Sequence, residues 1–438
     1  MYEPNAVAFQ TQARAGGETL PDGREAYVAA HSGYLATRPA FSPDPAALIQ
    51  ARSPAPGAPR ILFVEDTVPL RFLGSGFVRS NDIIRAMAAS GAFVTIAPMH
   101  PPPFNLAAIR AGLPDTVEVM RDLSAKTLPA FLAARRGCHD LIWVARTHNL
   151  DLIQAALADQ AEPRPPVILD TEALASLRSA SWSALTGEIF DLDTALAREL
   201  RNLALTAHVL AVTEAEAAIL RGHHPGPVSV LGHALAPRPM PRGFEDRTGI
   251  LFLGALHDEA HPNHDSLVWF VEQVLPEIEK TLRWETRLTV AGYVAPGVSL
   301  ERFRNHPRVT LRGPVTDTRT LYDTHRVFVA PTRHAAGLPY KVHEAAAYGL
   351  PVVATTLLAR QLGWPDDEVV LTAAADDPLA FAKHVIALHR DPGLWSRLRE
   401  AALERVARDL NPDDFARSVQ EVLRSTPDGT RPSRNSPG

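Results

Sequence analysis

The stretch TRHAAGLPYKVHEAAAYGLPVVAT, from Thr332 to Thr355, decides the fold of this chain. Short apolar runs rich in β-branched residues lie on either side of its centre, at 326–330 and 351–354, and each predicts a strand. Between them, a loop ending at Pro339 precedes a run with helical spacing. The order strand, loop, helix, strand predicts a βαβ unit, in which the two strands are parallel.

The start of this predicted helix is a candidate anion-binding site. Free backbone N–H groups and the positive end of the helix dipole favour an anion there, and Gly337 lets a ligand approach the backbone. Lys341 lies in the first turn, where a cation opposes the dipole unless an anion binds. Glu344, on the same face, can accept hydrogen bonds from sugar hydroxyls. These residues predict a bound nucleotide; an ordinary helical ion pair between Lys341 and Glu344 is the structural alternative.

The same residues resemble the donor-nucleotide motif of retaining glycosyltransferases of family four, which have the GT-B fold. The resemblance is to a subgroup with a Gly-rich loop and a lysine before the ribose-binding glutamate. Lys341 matches that lysine, Glu344 matches the glutamate, and Arg333 matches a basic residue before the loop. Three positions depart from the family pattern, which has an aromatic residue, a glycine and a first glutamate there: His334, Ala335 and Ala336.

Upstream, residues 249–276 are similar to the opening strand, loop and helix of the same family's C-terminal domain. Gly254 ends the predicted strand and can bring backbone close to the donor diphosphate. Asn263 and Asp265 either contact the ligand or cap the helix, and the cap is favoured for Asp265. Three nearby histidines have no metal-binding spacing, so no metal site is predicted: His257, His261 and His264.

The first half of the chain predicts a partner domain of the same class. The apolar run 60–64 reads as a strand, and Gly74 and Gly76 precede a run with helical spacing. A Gly-x-Gly after a strand is needed for a tight turn whatever is bound. The resemblance implies that this loop faces the donor across the interdomain cleft.

Polar residues follow two further predicted strands of this half, where parallel sheets place their ligands. His148 follows strand 140–145 and is the candidate acceptor-side residue, with a merely exposed histidine as the alternative. Asp170, Thr171 and Glu172 follow strand 166–169, and Asp170 or Thr171 can instead cap the next helix. Thr213 and Glu216 match a capping box, which accounts for both.

Composition agrees with a two-domain globular protein. The chain has 438 residues with a net charge of −5, so no basic field attracts nucleic acid. One cysteine, Cys138, excludes an internal disulfide and fits a reducing cytoplasm. No apolar run is long enough to span a membrane. Proline-rich stretches and composition predict these boundaries: extension 1–59, acceptor domain 60–235, linker 236–248, donor domain 249–424 and disordered tail 425–438.

The predicted fold is α/β, with two Rossmann-like doubly wound domains facing each other across a cleft. The resemblance implies a metal-independent hexosyltransferase-like enzyme of polysaccharide biosynthesis, without a cofactor, in which the nucleotide-sugar is a substrate. The acceptor is a glycan, a lipid-linked sugar or another hydroxyl compound, and the expected location is the cytoplasm or the inner face of a membrane. Predicted catalytic residues are Arg333, Lys341 and His148, and predicted donor-binding residues are Gly254, Gly337, Leu338, Glu344, Gly74 and Gly76. Two alternatives are a non-catalytic nucleotide-binding GT-B partner protein and a GT-B sugar-nucleotide epimerase.

Overall fold

The computed structural model describes residues 23–36, 58–102, 104–158, 164–259, 261–282, 287–315 and 317–426. Of the N-terminal extension, it describes two short helices, α1 (Gly23–Ala30) and α2 (Ser32–Ala36), and the two residues before the first strand. The remainder of the extension, and residues 427–438 of the expected tail 425–438, lie outside the described residues. The first two residues of that tail depart from the prediction, because Ser425 is the last residue of a helix and Thr426 is buried.

The first domain is built on a seven-stranded parallel sheet with the order β3-β2-β1-β4-β5-β6-β7. Its strands are β1 (Arg60–Glu65), β2 (Phe93–Pro98), β3 (Glu118–Val119), β4 (Leu141–Ala145), β5 (Val167–Asp170), β6 (His208–Ala211) and β7 (Val228–Val230). Its helices are α3 (Ser75–Ala89), α4 (Leu106–Gly112), α5 (Leu128–Ala134), α6 (Thr147–Leu157), α7 (Ala175–Thr186), α8 (Leu192–Glu199) and α9 (Glu214–His223).

The second domain has a six-stranded parallel sheet with the order β10-β9-β8-β11-β12-β13. Its strands are β8 (Ile250–Leu253), β9 (Leu288–Ala291), β10 (Val309–Gly313), β11 (Val327–Ala330), β12 (Val352–Thr355) and β13 (Leu371–Ala373). Its helices are α10 (Pro262–Trp269), continued by a π-helical turn into α11 (Leu275–Leu282), then α12 (Glu301–Arg304), α13 (Arg319–Thr324), α14 (Tyr340–Ala347), α15 (Thr356–Leu362), α16 (Pro378–Arg390) and α17 (Pro392–Asp409).

The central strands are buried on both faces, which is why their sequences are continuous apolar runs and not alternating ones. In β1, Ile61, Leu62, Phe63 and Val64 are fully buried, and β8 and β11 show the same pattern. The predicted unit around residues 326–355 is confirmed, because β11 and β12 pair in parallel with α14 between them. Three short strands, β3, β7 and β13, were not predicted.

Both strand orders reverse direction beside the first strand of the domain, so that β1 adjoins β4 and β8 adjoins β11. At such a reversal the connecting helices leave to opposite faces of the sheet, and a crevice opens at the carboxyl ends of the two strands. The loops after β1 and β4 therefore meet at one crevice, and the loops after β8 and β11 meet at the other. These loops carry most of the candidate residues.

The final helix, α18 (Pro412–Ser425), corrects the expected domain boundary. The sequence analysis assigned residues 249–424 to the donor domain, but α18 packs on the first domain, against α3. Its apolar residues Phe415, Val419 and Val422 recur with helical spacing and are buried in the core cluster that contains Ile61. The second domain therefore ends near residue 410, where the chain returns to the first.

No helix in the described ranges is both long and apolar enough to cross a lipid bilayer.

Candidate functional site

Three residues of the second domain meet at the crevice between β8 and β11. Lys341, in the first turn of α14, places its Nζ 2.7 Å from Oδ1 of Asn263, and the amide nitrogen of Asn263 donates to the carbonyl of Ala255. A Cβ on Gly254 would lie 2.8 Å from the Asn263 side chain, so only glycine leaves room there. The predicted donor residues Gly254 and Lys341 are thus brought together, with Asn263 between them.

Lys341 is a cation without an acidic partner among the described residues. Burial lowers the pKa of its ammonium group to about 8, and no charged neighbour offsets this effect. Its other close contact is the ring of Phe252, whose centroid lies 5.5 Å from Nζ. A half-buried lysine held only by an amide and a ring at a helix N-terminus can neutralise an anionic ligand.

Glu344 lies on the same helix and bonds to a different neighbour. Its Oε2 accepts a hydrogen bond of 2.7 Å from the hydroxyl of Tyr322 on α13. Burial raises the pKa of the Glu344 carboxyl, and the Tyr322 hydrogen bond partly opposes that rise. Lys341 and Glu344 therefore have separate partners, and the alternative of a simple ion pair between them is wrong.

Arg333 forms an ion pair with Asp265 on α10, in which both carboxylate oxygens accept from the guanidinium. This contact corrects the cap assigned to Asp265: the helix is capped by His261, whose Nδ1 accepts from the Asn263 backbone N–H. Burial would raise the pKa of Asp265, but the hydrogen bonds from His334 and Arg333 outweigh it and lower that pKa. The charge of Arg333 is thus already balanced.

The loop 332–339, here called the donor loop, reaches across the cleft to the first domain. Gly337 has φ +76°, and a Cβ there would lie 3.0 Å from Cβ of Ala173 and 3.1 Å from the carbonyl oxygen of Glu172. The His334 ring packs edge-on against Trp182 of α7, with centroids 4.6 Å apart. The predicted interdomain cleft is therefore closed around this loop.

The N–H of Gly337, where the sequence analysis expects a phosphate, donates to Oε1 of Glu216 at 3.0 Å. Thr213 caps α9 as expected, because its Oγ1 accepts from the Glu216 N–H. The capping box nevertheless fails as an account of Glu216, because the described hydrogen bond of its carboxylate runs to the other domain. Burial raises the pKa of Glu216 to about 7, although the N–H groups of Gly337 and Leu174 favour its charged form.

The first-domain side of the cleft, here called the first-domain wall, is formed by the loops after β1 and β4. These loops bring His148 to an acidic partner that was not predicted. Nε2 of His148, in the first turn of α6, lies 2.6 Å from Oδ1 of Asp66. The hydrogen bond to Asp66 raises the pKa of His148. Burial would raise the pKa of Asp66, but His148 and Arg146 outweigh it and lower that pKa to about 2. His148 is thus favoured as a charged hydrogen-bond donor.

Arg146 organises the carboxylates beside His148. Its guanidinium lies 2.9 Å from Glu65, 3.2 Å from Asp66 and 2.9 Å from Glu172. Arg146 has φ +74° and Glu172 has φ +56°, a backbone conformation that residues other than glycine rarely adopt. Burial raises the pKa of Glu172 to about 7, while the charge of Arg146 opposes this shift. The wall therefore carries a fixed network of opposite charges.

Asp170 and Thr171 are not helix caps, which corrects the second expectation for them. Asp170 forms a fully buried ion pair with Arg79, and the Thr171 hydroxyl donates to the carbonyl of Leu210. The start of α7 is instead capped by Glu199, whose two oxygens accept from the N–H groups of Ala175 and Ser176. Asp170 and Thr171 thus fix the end of β5, and only Glu172 turns to Arg146.

The two predicted glycines of the first domain have different surroundings. A Cβ on Gly76 would lie 2.5 Å from Oε2 of Glu172 and 2.9 Å from Arg146, so this glycine makes room for the charged network. Gly74 precedes α3 with φ +141° and would meet nothing within 4 Å. Only Gly76 reaches the cavity.

Between the two walls lies a cavity of about 250 Å³. Its lining includes Gly76, Arg146, His148, Glu172 and Arg178 from the first domain, and Ala336, Gly337 and Leu338 from the second. Gly337 and Leu338 of the donor side therefore share this space with Gly76 and His148, whereas Gly254, Arg333, Lys341 and Glu344 are not among its lining residues. In the described parts of the chain, no group of three or more His, Cys, Asp or Glu side chains is arranged to hold a metal ion.

Four polar residues of this site were missed by sequence reasoning: Glu65, Asp66, Arg79 and Glu199. Glu65 and Asp66 follow the first apolar strand, and the strand-end rule used for β4 and β5 would have found them. Arg79 and Glu199 lie within helices, where a charged residue looks like an ordinary solvated one.

Comparison with known proteins supports the fold. Residues 247–391 match the family described as Glycosyl transferases group 1. No curated protein matches the chain in sequence. Among solved structures, a sucrose-phosphate synthase from Thermosynechococcus elongatus is similar with 18% identity and a TM-score of 0.66, covering 84% of this chain and 98% of that one.

Two further structures cover the same share of this chain. Anabaena HepE, in complex with UDP and glucose, is 15% identical, with a TM-score of 0.63 over 84% of this chain and 99% of its own. A glycosyltransferase from Rickettsia africae is 12% identical, with a TM-score of 0.58 over 84% and 98%. The chain thus has the two-domain α/β architecture of GT-B proteins, and its second domain carries the match to Glycosyl transferases group 1.

Proposed function

We propose that this protein is a glycosyltransferase that moves a sugar from a nucleotide-sugar donor to a hydroxyl acceptor with retention of anomeric configuration. The observation that carries the proposal is the convergence of Lys341, Asn263 and Gly254 at the N-terminus of α14, where no acidic side chain of the described residues pairs with the lysine. A cation in that position is balanced when a diphosphate binds. The match of residues 247–391 to Glycosyl transferases group 1 supports this assignment.

In this proposal Lys341 stabilises the charge that develops on the leaving diphosphate, the task a metal performs in other enzymes. The backbone at Gly254 and the N–H groups beside Gly337 contact the phosphates, while the N–H of Gly337 itself donates to Glu216. Glu344 binds the ribose hydroxyls, while its Oε2 accepts the hydrogen bond from the Tyr322 hydroxyl. Arg333 is paired with Asp265 and contributes mainly by fixing the donor loop to α10.

The acceptor enters from the first-domain wall. His148, charged through its contact with Asp66, donates a hydrogen bond that orients the acceptor. Among the described residues that line the cavity, Glu172 carries a carboxylate, but its two oxygens contact Ser80 and Arg146. A covalent glycosyl intermediate on that residue is therefore disfavoured, and we propose front-face transfer on the donor itself, with domain closure excluding water.

Two other functions give different outcomes in the same experiments. A non-catalytic nucleotide-binding partner would bind donor without transferring sugar to any acceptor, and the substitution of Ala336 for the family's first glutamate favours it. An epimerase would invert or hydrolyse the nucleotide-sugar without an acceptor. The experiments therefore measure nucleotide binding first and sugar transfer to an acceptor second.

UDP and UDP-glucose are the first probes, since HepE is described with UDP. Isothermal calorimetry should detect UDP binding to the wild-type protein. Lys341→Ala should weaken it by about 1.5–3 kcal/mol, the usual worth of a charged hydrogen bond, because the diphosphate loses its cation. Acceptor extracts are then screened for transfer of labelled glucose.

Lys280→Ala is the matched control, since Lys280 lies in the same domain, is exposed and, among the described residues, pairs with Glu277. It should leave UDP affinity unchanged. If folded Lys341→Ala binds UDP as tightly as the wild type, Lys341 is not part of the donor site. If a panel of nucleoside diphosphates gives no binding at all, the proposed function itself fails.

A further inference from the structure

Glu216 is buried between the domains and has no role in the proposed chemistry. It lies in the first turn of α9 with 3% of its surface exposed, and Oε1 accepts the N–H of Gly337 at 3.0 Å. The second oxygen, Oε2, is buried without a hydrogen-bond partner among the described residues. Burying a carboxylate with one oxygen unpaired costs free energy of folding, so the contact that its other oxygen makes is the feature to explain.

The two loops beside Glu216 belong to different domains. Gly337 is in the donor loop, and the N–H of Leu174, which also favours the charged form of Glu216, belongs to the loop 171–174 after β5. These loops touch directly, because the Gly337 backbone packs on Ala173 and on the carbonyl of Glu172. Both loops line the cavity.

We infer that Glu216 is a positioning residue: from the first domain, its carboxylate holds the donor loop against the loop 171–174 and so sets the width of the cavity. The inference that this width matters for transfer rests on the proposed function. The contact itself does not, because it joins two segments of this chain without a ligand. Glu216 touches neither donor nor acceptor in this account, and it acts only through the Gly337 peptide.

Amide hydrogen exchange followed by mass spectrometry tests this contact without a substrate. In the wild-type protein, peptides spanning 332–339 should be protected. Glu216→Ala should accelerate exchange there by about tenfold, as the loss of one buried hydrogen bond does, and should also accelerate it in 171–174. Glu216→Gln keeps an acceptor oxygen for the Gly337 N–H and should stay within about threefold of the wild type.

Glu214→Ala is the matched control, because Glu214 lies on the same helix turn but is exposed and, within the described ranges, pairs with Arg221. Its exchange should equal that of the wild type. Calorimetry with UDP on the same proteins separates the two proposals. If the wild type binds none of the panel of nucleoside diphosphates but Glu216→Ala still loosens both loops, the positioning role stands and the proposed function falls.

Three results would overturn the inference. The first is unchanged amide exchange in 332–339 in folded Glu216→Ala. The second is uniformly faster exchange over the whole chain, which would mean that Glu216 contributes to overall stability without positioning the donor loop. The third needs no variant, and therefore remains decisive even if Glu216→Ala does not fold. It is the absence of protection at the donor loop in the wild-type protein.

Discussion

Lys341 and Asn263 lie in the first turns of two helices, α14 and α10, that the strand order brings together, and their side chains lie 2.7 Å apart. An amide oxygen orients the ammonium group but leaves its charge uncompensated, since amides are neutral. This choice of partner keeps the cation available for a diphosphate. A carboxylate in the same place would satisfy the lysine permanently.

Asn263→Asp tests that argument. The new carboxylate would form an ion pair with Lys341, so we expect UDP affinity to fall at least about tenfold, with thermal stability equal to or above that of the wild type. Calorimetry and a melting curve measure the two quantities. Asn305→Asp, at an exposed position at the end of α12 in the same domain, is the control. Equal UDP affinity in Asn263→Asp would place the diphosphate elsewhere.

His148→Ala should separate donor binding from turnover. Since His148 lies on the first-domain wall, we expect UDP affinity within about threefold of the wild type, and turnover lower by about 100-fold if the histidine orients the acceptor. His223→Ala, an exposed histidine of the same domain, is the control. Unchanged turnover at saturating acceptor would leave His148 without a role.

The dependence of turnover on pH should report the protonation of His148. The hydrogen bond to Asp66 raises the pKa of His148, so the charged form persists above the ordinary value of 6.5. Its contribution to activity is complete below pH 6.5 and is lost as pH rises through the raised pKa. The accompanying effect on fold stability is small, because the His148 side chain is 61% exposed. His148→Ala should abolish that alkaline limb in a plot of kcat against pH.

Gly337→Ala probes the contact between the domains. The backbone at this position has φ +76°, and the added methyl would lie 3.0 Å from Cβ of Ala173. We expect a loss of stability above the roughly 1 kcal/mol of backbone strain alone, because the methyl also pushes the donor loop from the first domain. Gly363→Ala has a similar φ of +63° and no atom within 4 Å, so it measures strain without contact. Equal losses in urea unfolding of the two variants would refute a tight interdomain contact.

Transfer should survive chelation. In this proposal Lys341 does the work of a divalent ion at the leaving group, so EDTA should leave turnover within about twofold. The assay compares untreated, EDTA-treated and magnesium-supplemented protein with the same donor and acceptor. A complete loss with EDTA that magnesium or manganese restores would require a different leaving-group mechanism.

The strand, loop and helix around residues 326–355 were predictable because each element shows its own local pattern. Apolar β-branched runs mark buried strands, and Gly337 and Pro339 mark the turn between them. The meeting of Gly254 with Lys341 was expected only through the family resemblance. Its physical basis is that β8 and β11 are neighbours in the sheet although they lie about 80 residues apart in the sequence, and no local sequence pattern predicts that pairing.

The errors have a common physical origin. Asp265, Asp170 and Glu216 each lie near the start of a helix, where local rules assign a cap, yet each bonds to a group distant in sequence. A helix start offers several N–H groups, and any nearby acceptor satisfies them, as His261 and Glu199 do. Local sequence ranks the candidates for a cap, whereas tertiary packing decides between them.

Because α18 returns to the first domain, the polypeptide passes between the domains twice, near residue 235 and again near residue 410. Those two crossings lie side by side, since the N–H of Leu235 donates to the carbonyl of Leu410 at 2.8 Å. A single tether would permit the domains to swing in any direction. With two adjacent crossings, we expect any opening of the cleft to be a rotation about an axis through that pair, which would return the donor loop to the same place when the cleft closes.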